Sequence, residues 1–467
     1  MSRQTSHKGN RKQAATTVAG SSLWADDRGG LELPDEHPAI TIRDSLHDLI
    51  PLGALEEELI STPEFLRLQG IKQLGFCYRI WPGATHTRFE HSLGVYMLML
   101  RALRMVSRLR LAVLDQTSAR TLLVAALLHD IGHYPFSHAI EELGGEIAPH
   151  ERVGREIITS DPIASIVRRH GLSPERIAGL IDRDTASEPP AIDSLLSRLL
   201  SGPLDMDKLD YLPRDARACN VPYGGVDTSR LLASLRVIER DGAPSLGLVE
   251  KGVSPLHSLI HARQEMFDNV YWHHTNRAMM AMLLRATQDA LDAGSLQPGQ
   301  LKHHEDASLL ALLATGAMPE STRQLVSALA LRQPHKVLLE IAAPAGRIFS
   351  QLDALFWDQA HRKRVEAHLA AAIATTLGEP IHSHEVLIDI PKPERWQTDV
   401  LIWFPQPPVG MSQVMTWTEA TGQQPHDLLV YEQHQRRIRV VGTAWLRERL
   451  GGDATRAILP LLERLPG

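Results

Sequence analysis

The segment TLLVAALLHDIGH, residues 121–133, determines how the rest of the chain is interpreted. Its apolar part contains no charged side chain and predicts a buried helix that delivers His129 and Asp130 at its end. Gly132 and Pro135 then break the helix, so the backbone turns where the polar groups arrive. The sequence therefore predicts a mainly α fold in which a buried helix carries functional side chains at its C-terminal end.

Two other segments supply side chains of the same kind. The upstream segment RFEHSLG contains His91, and the downstream segment LDMDKLDY contains Asp207. Two imidazoles with two carboxylates suit a divalent metal such as Mn, Fe, Zn or Mg better than a metal that prefers thiolates. We therefore predict one divalent metal per site, with four ligands: His91, His129, Asp130 and Asp207.

The number of histidines near His129 favours this interpretation over a purely structural one. An isolated His-Asp pair is most often a core histidine that is hydrogen-bonded to its neighbour, and the chain has two more such pairs, His47-Asp48 and His426-Asp427. Those two pairs lack a preceding apolar helix and a cluster of further histidines, so we predict that they lie on the surface. The histidines that surround the first pair are His91, His133, His138 and His150.

The composition limits the class of protein. A chain of 467 residues with 43% hydrophobic and 22% charged residues is typical of a globular protein. The net charge of -6 gives no global attraction to nucleic acid, so any such contact would need a local basic patch. Two cysteines, Cys77 and Cys219, exclude a disulfide framework and a cysteine-based zinc site. With no bilayer-spanning run and no signal-peptide core, the sequence predicts a cytoplasmic protein without a membrane partner.

Three regions differ in composition and pattern. Residues 1–36 are rich in Ser, Thr, Gly, Lys and Arg, which predicts a disordered tail. Residues 37–295 have helical periodicity, apart from an alternating strand at 40–44. The periodicity loosens after Asp292, and residues 296–467 predict a smaller mixed α+β region.

The α+β prediction for the last region depends on five segments. Residues 336–341 and 386–390 have the pattern of strands, with a helix at 364–377 between them. Residues 428–431 and 437–441 are predicted to pair as a hairpin. No internal repeat is visible in the chain.

Four segments, in this order and spacing, resemble the HD-domain phosphohydrolases: 71–75, 82–95, 128–138 and 207–211. Within that family the chain most resembles the SAM-and-HD-domain type of deoxynucleoside triphosphate triphosphohydrolase, although no sterile-alpha-motif module is recognisable before the core. The resemblance covers about residues 40–280. It implies an all-helical HD-domain catalytic core, a hydrolase activity and a nucleotide substrate.

The reaction of this family requires a proton for the leaving oxygen, and a histidine with a pKa near neutrality is the natural donor. His133 and His150 are the candidates, and the resemblance places both in the catalytic set. Glu141 stands where the family has an aspartate that orients one of these histidines. The alternative for Glu141 is a solvated position on a helix.

The resemblance also implies a set of substrate contacts: Gln73, Leu74, Arg88, His138, Lys208, Tyr211, Asp215, Arg263 and Tyr271. Arg88 would pair with phosphate through its planar set of donors, and Lys208 would add a second positive charge. Leu74 and Tyr271 could instead be ordinary core residues. His274 stands where the family often has a lysine, which would weaken phosphate binding.

The family's guanine-nucleotide activator site has lost its charged groups in this chain. The matching positions are Ile40, Ser61, Leu66 and Gln69, while Arg43-Asp44 and Asp227 with Arg230 are retained. Burying a triphosphate against apolar side chains would leave its charges unpaired. We therefore expect that GTP does not activate the protein through that site.

The leading functional hypothesis is a metal-dependent dNTP triphosphohydrolase that releases a deoxynucleoside and triphosphate. The alternative is another HD phosphohydrolase, acting on nucleoside monophosphates, cyclic nucleotides or single-stranded nucleic-acid ends. A third hypothesis, a non-catalytic nucleotide- or nucleic-acid-binding scaffold, is disfavoured by the intact metal set and the two candidate acids. The apolar helices of the core are compatible with a homodimer or a homotetramer.

Overall fold

The computed structural model describes residues 31–108, 114–183, 191–240, 243–393 and 399–464. The predicted N-terminal tail lies outside these ranges up to residue 30. Its last residues are packed, since Leu33 is buried and the Glu32 N–H donates to the Gln116 side chain at 3.0 Å. The folded part of the chain therefore begins before the predicted boundary at residue 37.

The predicted mainly α architecture is confirmed. The α-helices described up to residue 292 are α1 (Ala54–Ile60), α2 (Pro63–Leu66), α3 (Arg88–Arg108), α4 (Gln116–Leu128), α5 (His138–Glu141), α6 (His150–Ile158), α7 (Ile163–Arg169), α8 (Pro174–Ile181), α9 (Ala191–Leu200), α10 (Met206–Cys219), α11 (Thr228–Ser234), α12 (Val253–Met266) and α13 (His274–Asp292). A π-helical turn, Phe267–Tyr271, joins α12 to α13. Within the described ranges, no helix combines the length and the apolar surface that a membrane span requires.

Helix α4 is the centre of the N-terminal core. Its last two turns are buried on every face because the side chains there are almost all apolar. Asp115 caps its first turn by accepting the Ser118 N–H at 2.6 Å, and the helix ends at Leu128, directly before the His-Asp pair. Helices α3 and α8 pack against α4, and α10 packs against α3. The start of α3, the end of α4 and the start of α10 therefore meet.

The described residues form three small sheets beside the helices. Their strands are β1 (Ile40–Asp44), β2 (Asp48–Leu52), β3 (Leu235–Arg240), β4 (Ala243–Val249), β5 (Lys336–Ala342), β6 (Val386–Asp389), β7 (Leu401–Trp403), β8 (Val414–Thr416) and β9 (Arg437–Gly442). Strands β1 and β2 pair with each other, and the other two sheets have the orders β3-β4-β7-β8 and β5-β9-β6. All pairs are antiparallel except β4 with β7. Strand β1 was predicted from the sequence, but the sheet that begins with β3 and β4 was not.

The C-terminal helices are α14 (Asp306–Leu313), α15 (Glu320–Ala330), α16 (Arg347–Ala354), α17 (Gln359–Leu377), α18 (Trp417–Thr421), α19 (Pro425–Gln435), α20 (Ala444–Leu450) and α21 (Ala454–Glu463). The predicted strands at 336–341 and 386–390 are confirmed as β5 and β6, and the predicted helix between them is part of α17. The predicted hairpin is wrong. Residues 428–431 belong to α19, whose first turn contains Pro425, and β9 pairs with β5 and β6 instead.

The predicted C-terminal region is not one separate unit. Helices α14 and α15 pack against α13, whereas the β5-β9-β6 sheet forms its own core with α16, α17 and α21. The chain between these parts returns to the N-terminal core, where Val400, Ile402 and Trp417 are buried in the same cluster as the side chains of α3 and α4. Strand β7 is paired there with β4, with Ile402 opposite Leu248.

This packing predicts a large effect for Trp417→Ala. Its side chain is 0% exposed, so truncation should leave a cavity and lower the free energy of unfolding by about 3–5 kcal/mol. The matched control is Trp357→Ala, at a side chain that is 75% exposed, where a change within about 0.5 kcal/mol is expected. Urea unfolding followed by circular dichroism measures both. Equal effects of the two changes would show that this segment does not belong to the N-terminal core.

Candidate metal centre and active site

His91, His129 and Asp207 come together where the three helices meet. His91 lies in the first turn of α3, His129 directly follows α4, and Asp207 lies in the first turn of α10. Nε2 of His91 is 2.9 Å from Oδ1 of Asp207, and one potential ligand atom from each of the three residues lies within 4.8 Å of the others. Three of the four predicted metal ligands are thus within reach of one ion.

The hydrogen-bond partners of the two histidines fit a metal site. Nδ1 of His129 lies 2.9 Å from the Ala126 carbonyl oxygen, and Nδ1 of His91 lies 2.8 Å from Oδ2 of Asp210. Such partners fix the tautomer of a ligating histidine and direct its Nε2 to the metal. Nε2 of His129 is buried and has no hydrogen-bond partner among the described residues. A buried nitrogen that forms no hydrogen bond, beside an imidazole and carboxylates, belongs to a donor set that suits a divalent metal.

The charges around His91 also favour a cation. Burial lowers the pKa of His91, but hydrogen bonds to Asp207 and Asp210 raise it to about 10 overall. The side chain is 0% exposed, so these carboxylates act with little screening by water. The site therefore stabilises a positive charge at its centre, whether a proton or a metal ion carries it.

Asp130, the fourth predicted ligand, lies between this cluster and a second one. Its Oδ2 accepts a hydrogen bond from Arg88 at 2.7 Å and is 3.7 Å from Nε2 of His91. Its Oδ1 is 3.3 Å from Nε2 of His129 and 3.2 Å from Nε2 of His133. Burial raises the pKa of Asp130, but Arg88 and the histidines hold it well below its usual range. The carboxylate is therefore ionised and is shared with Arg88.

The second cluster contains His133, His138, Glu141 and His150. The rings of His133 and His150 stack with their centroids 3.8 Å apart, and Nδ1 of His150 is 2.9 Å from Oε1 of Glu141. Burial lowers the pKa of His150, but Glu141 raises it to about 9 overall. Burial, with Arg88 and His150 nearby, holds the pKa of His133 well below its usual range. Near neutral pH, one stacked ring is protonated and the other is neutral.

One cavity of about 460 Å³ joins the two clusters. Of the predicted metal and catalytic residues, His91 and Glu141 lie behind its wall, where they contact Asp207 and His150. All the predicted substrate residues line this cavity: Gln73, Leu74, Arg88, His138, Lys208, Tyr211, Asp215, Arg263 and Tyr271. Side chains from distant parts of the sequence thus face one space.

Several of these side chains already have partners within the protein. Lys208, like Arg88, is engaged by a carboxylate, since its Nζ lies 2.6 Å from Oδ2 of Asp205. The Tyr271 hydroxyl donates to Asp215 at 2.7 Å. Tyr271 therefore contributes a fixed polar group to the cavity, although its ring also packs against the core. A phosphate ligand would have to share Arg88 and Lys208 with these carboxylates.

The turn that follows His133 has a strained backbone. Phe136 and Ser137 both have φ of 57°, a left-handed conformation that is uncommon for residues other than glycine. Asp306, at the start of α14, accepts the Phe136 N–H at 2.7 Å and the Lys72 N–H at 3.0 Å. The hydroxyl of Ser137 in turn accepts a hydrogen bond from Arg88 at 3.0 Å. Asp306 thereby stabilises the turn that orients Arg88.

Arg67 donates hydrogen bonds to the backbone of the residues that precede this turn. Its Nη2 donates to the carbonyl oxygens of Ile131 and His133, at 3.0 and 2.8 Å, and its Nη1 donates to that of His304 at 3.1 Å. Neither Arg67 nor Asp306 was predicted from the sequence. Their partners lie far away along the chain, so no local pattern could have marked them.

The prediction that His47 lies on the surface is wrong. His47 is 8% exposed, and its Nε2 is 2.6 Å from Oδ1 of Asp210, because the β1–β2 hairpin folds over α10. Asp48 beside it is exposed, and both residues of His426-Asp427 are exposed, as predicted. The helical spacing in the sequence could have identified Asp210 as a candidate site residue, since it lies one turn after Asp207 on the same face of α10.

Three of the four positions that match the family's activator site lie at the surface, whereas Ile40 is partly buried against the core. Ser61, Leu66 and Gln69 are exposed, and the retained Arg43 forms only an exposed ion pair with Asp48, which contributes little to binding energy. His274 does not line the catalytic cavity, because it begins α13 and faces a separate one. Its replacement of a lysine therefore does not bear directly on phosphate in the catalytic cavity.

Comparison with known proteins agrees with this architecture. A model of the HD domain matches residues 88–215, and a model of the HD associated region matches residues 226–444. The crystal structure of a hypothetical protein from Aquifex aeolicus has the same fold, with a TM-score of 0.66 at 24% identity over 88% of this chain and 100% of that one. The chain therefore contains an HD domain followed by an HD associated region.

Two curated relatives share only part of their length with this chain. An uncharacterized protein of Methanocaldococcus jannaschii is 35% identical over 272 residues, 58% of this chain and 54% of that protein. The deoxynucleoside triphosphate triphosphohydrolase SAMHD1 of Gallus gallus is 32% identical over 279 residues, 53% of this chain and 45% of that protein. The chain thus matches about half the length of each relative.

The geometry predicts that Asp207→Ala loses metal. Loss of an outer partner of a metal ligand already costs about 10- to 100-fold in affinity, and loss of a ligand should cost at least as much. The matched control is Asp427→Ala, in the His-Asp pair that lies on the surface. Elemental analysis of the purified variants, with circular dichroism to verify folding, is the measurement. Metal content equal to that of the control would remove Asp207 from the ligand set.

Proposed function

We propose that this HD-domain protein is a metal-dependent phosphohydrolase that splits a dNTP into a deoxynucleoside and triphosphate. The observation that supports it most is that His129 and Asp207 of the His91–His129–Asp207 cluster line one cavity with the ion-paired His150, together with cations and tyrosines. The choice of a dNTP is supported by the similarity to SAMHD1, a deoxynucleoside triphosphate triphosphohydrolase. The nucleotide would be bound in the cavity of about 460 Å³.

The metal would be held by His91, His129 and Asp207, with Asp130 beside them. When bound, a divalent metal supplies Lewis acidity at a phosphoryl oxygen and lowers the pKa of a coordinated water. The chain itself fixes the ring orientations of both histidines through Asp210 and the Ala126 carbonyl. Arg88 keeps Asp130 ionised, so the carboxylate is available beside the metal at any neutral pH.

His150 is the proposed general acid. Its Nδ1 faces Glu141, so the proton that it can transfer is on Nε2, the other ring nitrogen. Water would attack the α-phosphorus, the bond from that phosphorus to O5′ would break, and O5′ would take the Nε2 proton as the deoxynucleoside leaves. The low pKa of His133 keeps its stacked ring neutral, so it does not add a second positive charge beside His150.

The cations and rings of the cavity suit the two ends of a nucleotide. Arg88, Lys208 and Arg263 are the proposed contacts of the triphosphate, since planar guanidinium groups and ammonium groups bind phosphate oxygens. Tyr211 and Tyr271, with ring centroids 6.5 Å apart, are the proposed contacts of the sugar and base.

The test is to incubate the purified protein with each dNTP and with Mn or Mg, and to identify the products. Release of deoxynucleoside and triphosphate is expected, whereas release of pyrophosphate or orthophosphate would contradict the proposal. Nucleoside monophosphates, cyclic nucleotides and single-stranded DNA are assayed in parallel. Repeating the dNTP assay over a range of GTP concentrations should give a flat response, because the activator site lacks its charged groups. A steep saturable rise with GTP would contradict that expectation.

Replacing the general acid should affect chemistry rather than binding. His150→Ala is expected to lower kcat by about 10²- to 10⁴-fold, the usual contribution of a positioned acid. Metal content and nucleotide affinity should be retained, because His150 does not contact His91 or Asp207. Single-turnover rates and elemental analysis of the variant measure the two effects separately. A near-normal kcat would leave His133 as the remaining candidate.

The partner of His150 provides a control with a pH signature. Glu141 raises the pKa of His150, so the acid is protonated below about pH 9 and its function is lost above that value. In Glu141→Gln the pKa of His150 should fall. The alkaline limb of the pH–rate profile should therefore move to lower pH. An unshifted alkaline limb would show that the pair does not set this ionisation.

A further inference from the structure

His86 lies behind the wall of the catalytic cavity and contacts a carboxylate that lines it. The residue is 9% exposed, and its Nε2 is 2.7 Å from Oδ1 of Asp215. The other oxygen of Asp215, Oδ2, accepts the Tyr271 hydroxyl at 2.7 Å. An ionised carboxylate only accepts hydrogen bonds, so His86 donates through Nε2. Two donors from separate segments of the chain therefore fix the plane of this carboxylate.

Helix α10 indicates which end of the cavity Asp215 occupies. Asp207, Tyr211 and Asp215 recur every four residues along α10, and all three line the cavity. Eight residues of an α-helix rise by about 12 Å, so Asp215 lies well away from the proposed metal ligand Asp207. Asp215 also belongs to neither cluster of potential metal ligands among the described residues. It therefore lies toward the other end of the cavity from the proposed metal.

A carboxylate at this end of the cavity suits the uncharged part of a nucleotide. It repels phosphate groups, which would lie toward Arg88 and Lys208, so the sugar and base would lie toward Asp215. The sugar of a dNTP carries one free hydroxyl, at C3′, and a hydroxyl is a suitable donor to a carboxylate. Each oxygen of Asp215 accepts one hydrogen bond within the protein and retains a lone pair for such a donor.

We propose that His86 is a positioning residue for sugar recognition, which orients Asp215 to accept the 3′-hydroxyl of the substrate. The inference rests on the proposed function and assigns a role to a residue outside the cavity lining. Nδ1 of His86 is buried and has no hydrogen-bond partner among the described residues. The effect of the side chain on a nucleotide therefore passes through Asp215. Packing alone would be served better by an apolar side chain, because a buried polar atom without a partner is destabilising.

The backbone around His86 is held independently of its side chain. Lys72 and Thr87 form an isolated antiparallel bridge, and the Gln73 N–H donates to the His86 carbonyl oxygen at 3.1 Å. The Arg88 N–H donates to the carbonyl oxygen of residue 71 at 2.9 Å. A change of the His86 side chain removes none of these bonds, so variants at this position are expected to retain the fold around the cavity.

His47 provides a matched control. It is likewise a buried histidine, and its Nε2 is 2.6 Å from Oδ1 of Asp210. Asp210 does not line the cavity and instead orients the proposed metal ligand His91. Loss of the His47 side chain should therefore impair the metal centre and lower the turnover of every nucleotide by the same factor. Loss of the His86 side chain should affect the nucleotides that carry a 3′-hydroxyl.

The experiment compares a dNTP with its 2′,3′-dideoxy analogue, which lacks the 3′-hydroxyl. The ratio of their kcat/KM values is measured for the full chain as wild type, His86→Leu, His86→Gln and His47→Leu, with circular dichroism to verify folding. The wild type should prefer the dNTP. In His86→Leu this preference should fall by about 10- to 100-fold, the usual contribution of a hydrogen bond to a charged group. His86→Gln keeps a donor and should retain more of the preference, and His47→Leu should leave the ratio unchanged.

Equal ratios in the wild type and His86→Leu, or no preference in the wild type, would overturn the proposal. A ratio that falls as far in His47→Leu as in His86→Leu would show a general structural effect and would also overturn it. The dissociation constants of the same two nucleotides, measured in the His150→Ala background, give a second ratio that requires no turnover. Products other than triphosphate would therefore contradict the proposed function, while the binding ratio would still decide the role of His86.

Discussion

The buried carboxylate of Asp210 is the group on which the metal centre depends. It is 0% exposed and accepts hydrogen bonds from His91 at 2.8 Å, His47 at 2.6 Å and Arg214 at 2.8 Å. Arg214 in turn pairs with Asp44 at the end of β1. A buried carboxylate is tolerated only when donors satisfy its oxygens, and here the donors come from β1–β2, α3 and α10. The same hydrogen bonds that satisfy Asp210 therefore orient His91.

Two glycines of the central motifs are explained by close contacts. A Cβ at Gly94 would lie 2.0 Å from Oδ1 of Asp210, so any side chain there would displace the carboxylate that orients His91. A Cβ at Gly132 would lie 2.1 Å from the backbone oxygen of His150. From the sequence, Gly132 was predicted to break the helix, and this contact gives a second reason for a glycine at the position. The backbone at Gly132 must touch the backbone at the start of α6, and this contact places the rings of His133 and His150 in a stack.

The sequence identified the candidate site residues that stand in short motifs. It did not identify those whose contacts come from distant parts of the chain. His91, His129 and Asp207 stand in motifs that a reader recognises locally, and each is placed by the end of one helix. Asp306 shows the opposite case, since its partner Phe136 is 170 residues away and only the tertiary fold brings them together. The predicted hairpin of residues 428–431 with 437–441 was wrong for a similar reason. Strand β9 pairs with two strands from earlier in the chain, and this pairing overrides the local strand-like pattern of residues 428–431.

Under the proposed function, charge balance in the cavity links metal binding to nucleotide binding. Arg88 and Lys208 both line the cavity, yet Asp130 and Asp205 already neutralise them. A triphosphate carries more negative charge than Arg88 and Lys208 can balance while they are paired with these carboxylates. An unbalanced charge in a cavity with little access to solvent is costly. The missing positive charge must enter with the substrate or before it, and the cluster around His91 is built to stabilise positive charge. Under the proposed function, the site is therefore electrostatically complete only when a metal and an anionic ligand are bound together.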